Sequence, residues 1–153
     1  MAMEKHTKRL GILGGGQLGR MSAMAAKKLN IETVIYTDTQ DGPASHVASE
    51  TLVGDYTDHD KLKDFANDVD VISYEFENIP LKTIEFLKTL KPVNPDNNLL
   101  EISQDRIAEK TFLNKIGVKT TRWSAVKNDN DLPILFDEWN VEEIIIKTSS
   151  FGY

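Results

Sequence analysis

A glycine-rich segment near the start of the chain is the first feature whose residue types could do chemistry. The three glycines Gly14–Gly16 follow a short apolar run, and Gln17 then opens a predicted helix. Glycines lack the Cβ atoms that would keep a ligand away from the backbone, and a helix N-terminus offers unpaired N–H groups with partial positive charge. This segment therefore predicts a site for a phosphate-bearing ligand.

The glycine segment allows two further interpretations on its residues alone. The spacing Gly14-x-Gly16-x-x-Gly19 fits a dinucleotide fingerprint. Asp38 supports it, because this residue follows the second predicted strand about 20 residues beyond the glycines, where a ribose-binding acid would sit. The other interpretation is a tight turn between strand and helix that binds no ligand. Both stay open at this point.

Three further sets of charged residues stand within predicted elements or at their ends. Glu75 and Glu77 end an apolar strand, where carboxylates could accept hydrogen bonds from a ligand amine or hydroxyl, or hold a cation. Lys147 ends the apolar run Ile144–Ile146, where an ammonium group would suit nucleotide phosphates. Arg106 lies in a helix-prone segment. For each of them the alternative is an ordinary solvent-exposed charge.

The elements that must position these residues alternate between short apolar strands and helices. The patterns predict strands over 8–13, 33–36, 50–53 and 69–74, and helices over 17–30, from Asp58 or Asp60 to Phe65, and 80–90. This alternation implies parallel pairing with right-handed crossovers, and hence an open α/β sheet. Ligands bind outside the carboxyl ends of the strands in such sheets, so the glycine turn and the Glu75–Glu77 cluster are expected at one edge.

The pattern changes after Pro92. Residues 97–116 are helix-prone with a break near Ser103, and a helix is predicted over 131–139. Strands are predicted over 120–125 and 143–147. In helix 17–30, the residues Leu18, Met21, Ala25 and Leu29 form an apolar face that supports the helix assignment.

Composition excludes several classes of function. The 153 residues include no cysteine, which excludes disulfides, thiolate metal sites and a cysteine nucleophile. No apolar stretch is long enough for a membrane span, and no apolar run follows the charged N-terminus as a secretory signal would require. The net charge of −6 argues against a general nucleic-acid binder. His6, His46 and His59 lack metal-ligand spacing, and the composition suits the cytoplasm.

Several segments together resemble one family. They are GILGGGQLGRM at 11–21, DGPASHVA at 41–48, SYEFENIP at 73–80, SQDRIAEKTFLNKIGV at 103–118 and IIIKTSSFGY at 144–153. On these motifs the chain resembles the 5-(carboxyamino)imidazole ribonucleotide synthetases, ATP-grasp ligases of purine biosynthesis. The resemblance implies a Rossmann-like pre-ATP-grasp domain over 1–95, linker helices over 96–118, and the start of an ATP-grasp domain over 119–153.

The resemblance also implies an activity and roles for individual residues. The activity is ATP-dependent carboxylation of 5-aminoimidazole ribonucleotide by bicarbonate. Gly15, Gly16, Gln17, Leu18 and Glu75 would contact the ribonucleotide, whose phosphate end suits the helix start, and Arg106 and Lys147 would contact ATP. No residue of this chain is assigned a catalytic role, the Mg²⁺ ligands are expected beyond residue 153, and the chain alone is expected to be inactive. A homodimer is also expected.

Three other classes of protein remain as alternatives. The related formate-dependent glycinamide ribonucleotide transformylases share the glycine turn and the acidic strand end, but they carry Glu where this chain has Gln17. An NAD-binding oxidoreductase domain would use the glycine spacing and Asp38. The third alternative is a non-catalytic α/β module that binds a ligand or a partner.

Overall fold

The computed structural model describes residues 8–151. The chain divides into two compact units, residues 1–100 and 101–153. The limits predicted from the sequence, 1–95, 96–118 and 119–153, stay predictions, and both their outermost positions and His6 lie outside the described residues.

The first unit is built on a four-stranded parallel sheet. Its strands are β1 (Arg9–Leu13), β2 (Glu32–Thr37), β3 (Glu50–Val53) and β4 (Val71–Tyr74), in the order β3-β2-β1-β4. Every pairing is parallel, and Val93 adds a single parallel bridge to Ile72. Helices connect β1 to β2 and β3 to β4, as the long crossovers of parallel strands favour. The predicted open α/β sheet is confirmed.

Apolar side chains fill both faces of this sheet, as the strand sequences require. Val34, Ile35 and Tyr36 in β2 are fully buried, because alternate residues of a parallel strand face opposite covered sides of the sheet. One core packs Tyr36 of β2 against Phe65 of α2 (His59–Asn67), and it also contains residues of α3 (Leu81–Lys88). A smaller core on the other face contains Ile12, Ile35, Ala23 and Ala44. Strands β1 and β2 therefore lie at the centre of the unit.

Local capping explains where two of the helices begin. Asp58 caps α2 by accepting a hydrogen bond from the backbone N–H of Lys61 at 3.1 Å. Pro80 stands immediately before α3, where its missing N–H costs nothing. Both positions agree with the sequence prediction, although the helices end a few residues away from the predicted limits.

The first helix, α1 (Gln17–Lys28), confirms the predicted helix but not an inward position for its apolar face. Leu18, Met21 and Leu29 are more than half exposed. The buried residues are instead Gly19, Ala23 and Ala26. Small residues let the helix axis approach the sheet closely, which leaves the longer side chains on the outside.

Three further helices follow in the sequence, the first across the boundary at residues 100 and 101 and the other two within the second unit. They are α4 (Asn97–Gln104), α5 (Arg106–Lys115) and α6 (Asp131–Trp139). The predicted break near Ser103 falls at Asp105, whose side chain caps α5 by accepting from the N–H of Ala108 at 2.8 Å. The prediction of a helix over 131–139 is confirmed.

The two strands predicted in the second unit are wrong for the structure as described. Residues 120–125 and 143–147 form no strand, and Ile145 and Ile146 are 86% and 63% exposed. A strand needs a neighbour to pair its N–H and C=O groups, and the described residues of this unit offer none. Leu135 is the one buried apolar residue among the described residues of the unit. In residues 8–151, no helix has the length and apolar character to cross a membrane.

Candidate functional site

The glycine turn connects the end of β1 to the start of α1. The backbone N–H of Gly14 donates to the carbonyl of Tyr36 at 2.9 Å, which continues the sheet by one residue. Gly14 has a φ of +116°, a backbone conformation that residues with a Cβ rarely adopt. The chain then turns into α1, whose N-cap residue, Gly16, has no side chain to accept hydrogen bonds.

Glu75 supplies the cap that Gly16 cannot. Its Oε1 accepts from the N–H of Gly16 at 3.0 Å, and its Oε2 accepts from the N–H of Gly19 at 2.9 Å. These are the N-cap and N3 positions of α1, which a capping box satisfies with two separate side chains. Here one carboxylate, placed just after β4, satisfies both, and its negative charge faces the positive end of the helix.

The glycines provide the space in which Glu75 lies. A Cβ on Gly14 would be 2.3 Å from Cγ of Glu75, and a Cβ on Gly16 would be 3.0 Å from its Oε1. A Cβ on Gly15 would be 2.6 Å from Oγ1 of Thr37. The space left by the missing side chains of this turn is thus already filled by Glu75 and Thr37.

The structure brings the five predicted ribonucleotide-binding residues together at the carboxyl end of β1. Gln17 and Leu18 follow the capped residue and are exposed, with Leu18 56% accessible. Their backbone N–H groups find no acceptor within the part of the chain that the structure describes. These two amides are therefore open to a ligand, whereas those of Gly16 and Gly19 are engaged. Glu77 is half-buried near the same strand end but does not line the adjoining cavity.

A cavity of about 310 Å³ opens beside the glycine turn. It is lined by Gly15, Gly16, Thr37, Asp38, Thr39, Gly42, Pro43, Tyr56, Glu75 and Phe76. Two carboxylates and three hydroxyl groups face a space whose described lining contains no lysine, arginine or histidine. Such a lining favours amines and hydroxyl groups, and its negative charge opposes a phosphate. Together with the engaged amides of the turn, this charge argues against a pyrophosphate-bearing dinucleotide, although Asp38 lies where that hypothesis requires it.

Tyr56 is a hydrogen-bond donor that the sequence interpretation did not identify. Burial raises the pKa of its phenol, and the nearby negative charge of Asp38 raises that pKa further, so the group keeps its proton. Tyr56 comes three residues after the end of β3, so its position at a strand end was the available signal. Phe76, which lies within the motif SYEFENIP, also lines the cavity.

The two predicted ATP-binding residues belong to the second unit. Arg106 is the first residue of α5, and its backbone N–H donates to the carbonyl of Ser149 at 2.8 Å. This bond holds the start of α5 beside the segment that carries Lys147, whose side chain is exposed. The described residues contain no group of three His, Cys, Asp or Glu side chains that could hold a metal ion.

Comparisons with known proteins match most of this chain. The family model described as the ribonucleotide synthetase preATP-grasp domain matches residues 7–104. An N5-carboxyaminoimidazole ribonucleotide synthase from Brucella melitensis is 45% identical over 123 residues, which are 80% of this chain and 34% of the relative. A bifunctional purine synthesis protein from Dictyostelium discoideum is 40% identical over 94% of this chain and 14% of its own length.

Solved structures give the same result. A crystal structure of N5-carboxyaminoimidazole ribonucleotide synthetase in complex with ADP superposes with a TM-score of 0.87 at 33% identity, covering 95% of this chain and 38% of that one. The enzyme of the same name from Thermus thermophilus gives a TM-score of 0.77 at 36% identity, covering 84% and 36%. The chain thus spans 34–38% of the length of these synthases and synthetases, and 14% of the bifunctional protein. By the match over residues 7–104, the chain belongs to the ribonucleotide synthetase preATP-grasp domain family.

Proposed function

We propose that this chain forms the ribonucleotide-binding part of an ATP-dependent ligase that carboxylates 5-aminoimidazole ribonucleotide with bicarbonate. The observation that carries this proposal is the position of Glu75, which meets the glycine turn at the edge of a cavity lined by a second carboxylate and by hydroxyl groups. The match to full-length carboxyaminoimidazole ribonucleotide synthases supports it.

The ribonucleotide carries an exocyclic amine, ribose hydroxyls and a phosphate, and the charges of the cavity distinguish among them. Each oxygen of Glu75 accepts one backbone hydrogen bond and keeps a second lone pair for a ligand donor. We therefore assign the amine to Glu75, and the phosphate to the exposed amides of Gln17 and Leu18 at the helix start. Asp38 is available to the ribose hydroxyls.

The reaction requires activation of bicarbonate before carbon–nitrogen bond formation. A bicarbonate oxygen attacks the γ-phosphorus of ATP, so that ADP leaves and carboxyphosphate forms. Carboxyphosphate then releases phosphate and CO₂, and the amine attacks the CO₂ carbon with loss of one proton to give 5-(carboxyamino)imidazole ribonucleotide. Phosphoryl transfer depends on positioning and on cations that spread the phosphoryl charge.

Arg106 and Lys147 are proposed to supply part of that positive charge. The bond between the Arg106 amide and the Ser149 carbonyl supports this pairing, because it keeps the two basic segments adjacent. Mg²⁺ would neutralise further phosphoryl charge. A cytoplasmic location and a homodimer belong to the same proposal.

An ADP-release assay tests this function. A full-length ligase that carries this sequence as its ribonucleotide-binding part is supplied with ATP, bicarbonate and 5-aminoimidazole ribonucleotide, and each is omitted in turn. ADP release that depends on the ribonucleotide is expected, and release that is unaffected by its omission would contradict the assignment. Titration with NADH followed by fluorescence tests the oxidoreductase alternative, for which saturable tight binding would be required.

A further inference from the structure

The loop of residues 41–48, which crosses over the glycine turn, has no assigned role. Ala44 in this loop donates its backbone N–H to the carbonyl of Gly15 at 3.0 Å. Gly42 packs against the same carbonyl so closely that a Cβ at residue 42 would be 2.6 Å from Gly15 O and 3.3 Å from Gly15 C. The loop therefore fixes one specific peptide group of the turn.

The peptide group between Gly15 and Gly16 is held from both sides. Its carbonyl accepts from Ala44, and its N–H donates to Oε1 of Glu75 at 3.0 Å. A peptide group is planar and rigid, so its oxygen cannot move without moving its N–H. Any displacement that the loop imposes on the Gly15 carbonyl is passed directly to the hydrogen bond with Glu75.

The loop itself is anchored and has little freedom to yield. Ala44 is fully buried in the core that also contains Ile12 and Ile35. Both the N–H and the hydroxyl of Ser45 donate to the carbonyl of Gly42, at 3.0 Å and 2.7 Å. A side chain at residue 42 would consequently push on the turn rather than move away from it.

We propose that Gly42 is a positioning residue for ribonucleotide binding, acting through the Gly15–Gly16 peptide on Glu75. The part of this proposal that concerns ligand affinity rests on the proposed function. Gly42 has no positive φ, so alanine at this position brings no conformational strain of its own. Ordinary contact begins at 3.4 Å, so the Gly15 carbonyl would have to retreat by 3.4 − 2.6 = 0.8 Å. Misplacement by about 1 Å can lower a reaction rate about a hundredfold, and we expect a smaller loss of ligand affinity from a displacement of this size.

The experiment compares Gly42→Ala with Gly54→Ala in the full chain. Gly54 is equally crowded, but a Cβ there meets Oη of Tyr36 at 2.5 Å and Cδ of Lys61 at 2.7 Å, the ends of side chains rather than the turn. Two quantities are measured: amide hydrogen exchange at Gly16 and Gly19 by NMR, and the Kd for 5-aminoimidazole ribonucleotide by calorimetry. In Gly42→Ala we expect both exchange rates and the Kd to rise by about tenfold or more. Gly54→Ala is expected to leave them within about twofold, because neither side chain that its Cβ would meet bonds to Gly16, Gly19 or Glu75.

Two measures keep the outcomes distinct. If Gly42→Ala does not fold, Ser45→Ala replaces it; this variant loses only the hydroxyl bond to the Gly42 carbonyl and is expected to raise exchange at Gly16 and Gly19 by about threefold. Unchanged exchange at both amides in a folded loop variant overturns the positioning role. If the unaltered chain binds no ribonucleotide, the proposed function fails, while the exchange rates still decide whether Gly42 positions the turn.

Discussion

Replacing Glu75 with glutamine tests the capping role of this residue with almost no change of shape. The amide keeps one oxygen, which can accept from either Gly16 or Gly19, but its NH₂ group must then face the other backbone N–H. One charge-assisted hydrogen bond, worth about 1.5–3 kcal/mol, is thereby lost. The interaction of the charge with the helix dipole, about 0.3–1 kcal/mol, is lost with it. Because Glu75 is only half-buried, we expect the free energy of unfolding to fall by about 2 kcal/mol, near the low end of this sum.

Urea unfolding followed by circular dichroism measures this change. The matched control is Glu85→Gln, which removes the same charge from an exposed position on α3 and is expected to change stability by less than about 0.5 kcal/mol. Amide exchange at Gly16 and Gly19 is expected to accelerate in Glu75→Gln alone. A Glu75→Gln chain as stable as the Glu85→Gln control would refute the argument that this carboxylate holds the start of α1.

Other parts of the molecule give three further predictions. Arg9, at the start of β1, forms ion pairs with Glu32, Glu50 and Asp68. Arg9→Met is expected to lower the free energy of unfolding by about 1–3 kcal/mol at neutral pH. A loss of stability that does not shrink in 1 M salt would contradict an electrostatic cause. Burial raises the pKa of Tyr36 to about 12, so folding keeps this phenol protonated while the unfolded chain ionises near 10; stability should therefore fall as the pH rises from about 10 to about 12. In Tyr36→Phe, the free energy of unfolding should fall less steeply with pH, by up to about 1.4 kcal/mol per pH unit. An unchanged dependence on pH, measured by urea titrations at pH 9–11.5, would refute this. Lys147→Ala is expected to raise the KM for ATP far more than the KM for the ribonucleotide in the ADP-release assay, and the reverse pattern would contradict its proposed role.

Local patterns in the sequence were sufficient to predict most of the first unit. The strand over residues 50–53 and the cap at Asp58 depend on neighbouring residues, and both are confirmed. The hydrophobic pattern does not predict which face of α1 is buried. Ala23 and Ala26 are buried, whereas the more apolar Met21 and Leu29 are exposed. Hydrophobicity ranks side chains by transfer free energy, whereas the close approach of a helix to a sheet selects small ones.

Sequence motifs also located the site but not its internal contacts. The glycine turn and Glu75 were each identified, and their position at strand ends implied a common edge. The bonds from Gly16 and Gly19 to Glu75 cross 59 and 56 residues, so no local pattern announces them. Residues 143–147 show the opposite case, since a run of β-branched side chains predicted a strand for which the described part of the unit supplies no partner.

The distance along the chain between α1 and its cap has a consequence for the order of folding during synthesis. A ribosome adds about 5–20 residues per second, so roughly 3–11 seconds separate the emergence of Gly19 from that of Glu75, 56 residues later. During that interval α1 has no partner for its first amides, and an isolated helix of 12 residues is marginal in water. The proposed ribonucleotide site would therefore form only when Glu75, just after β4, reaches the start of α1, and ligand binding would report that β4 has joined the sheet.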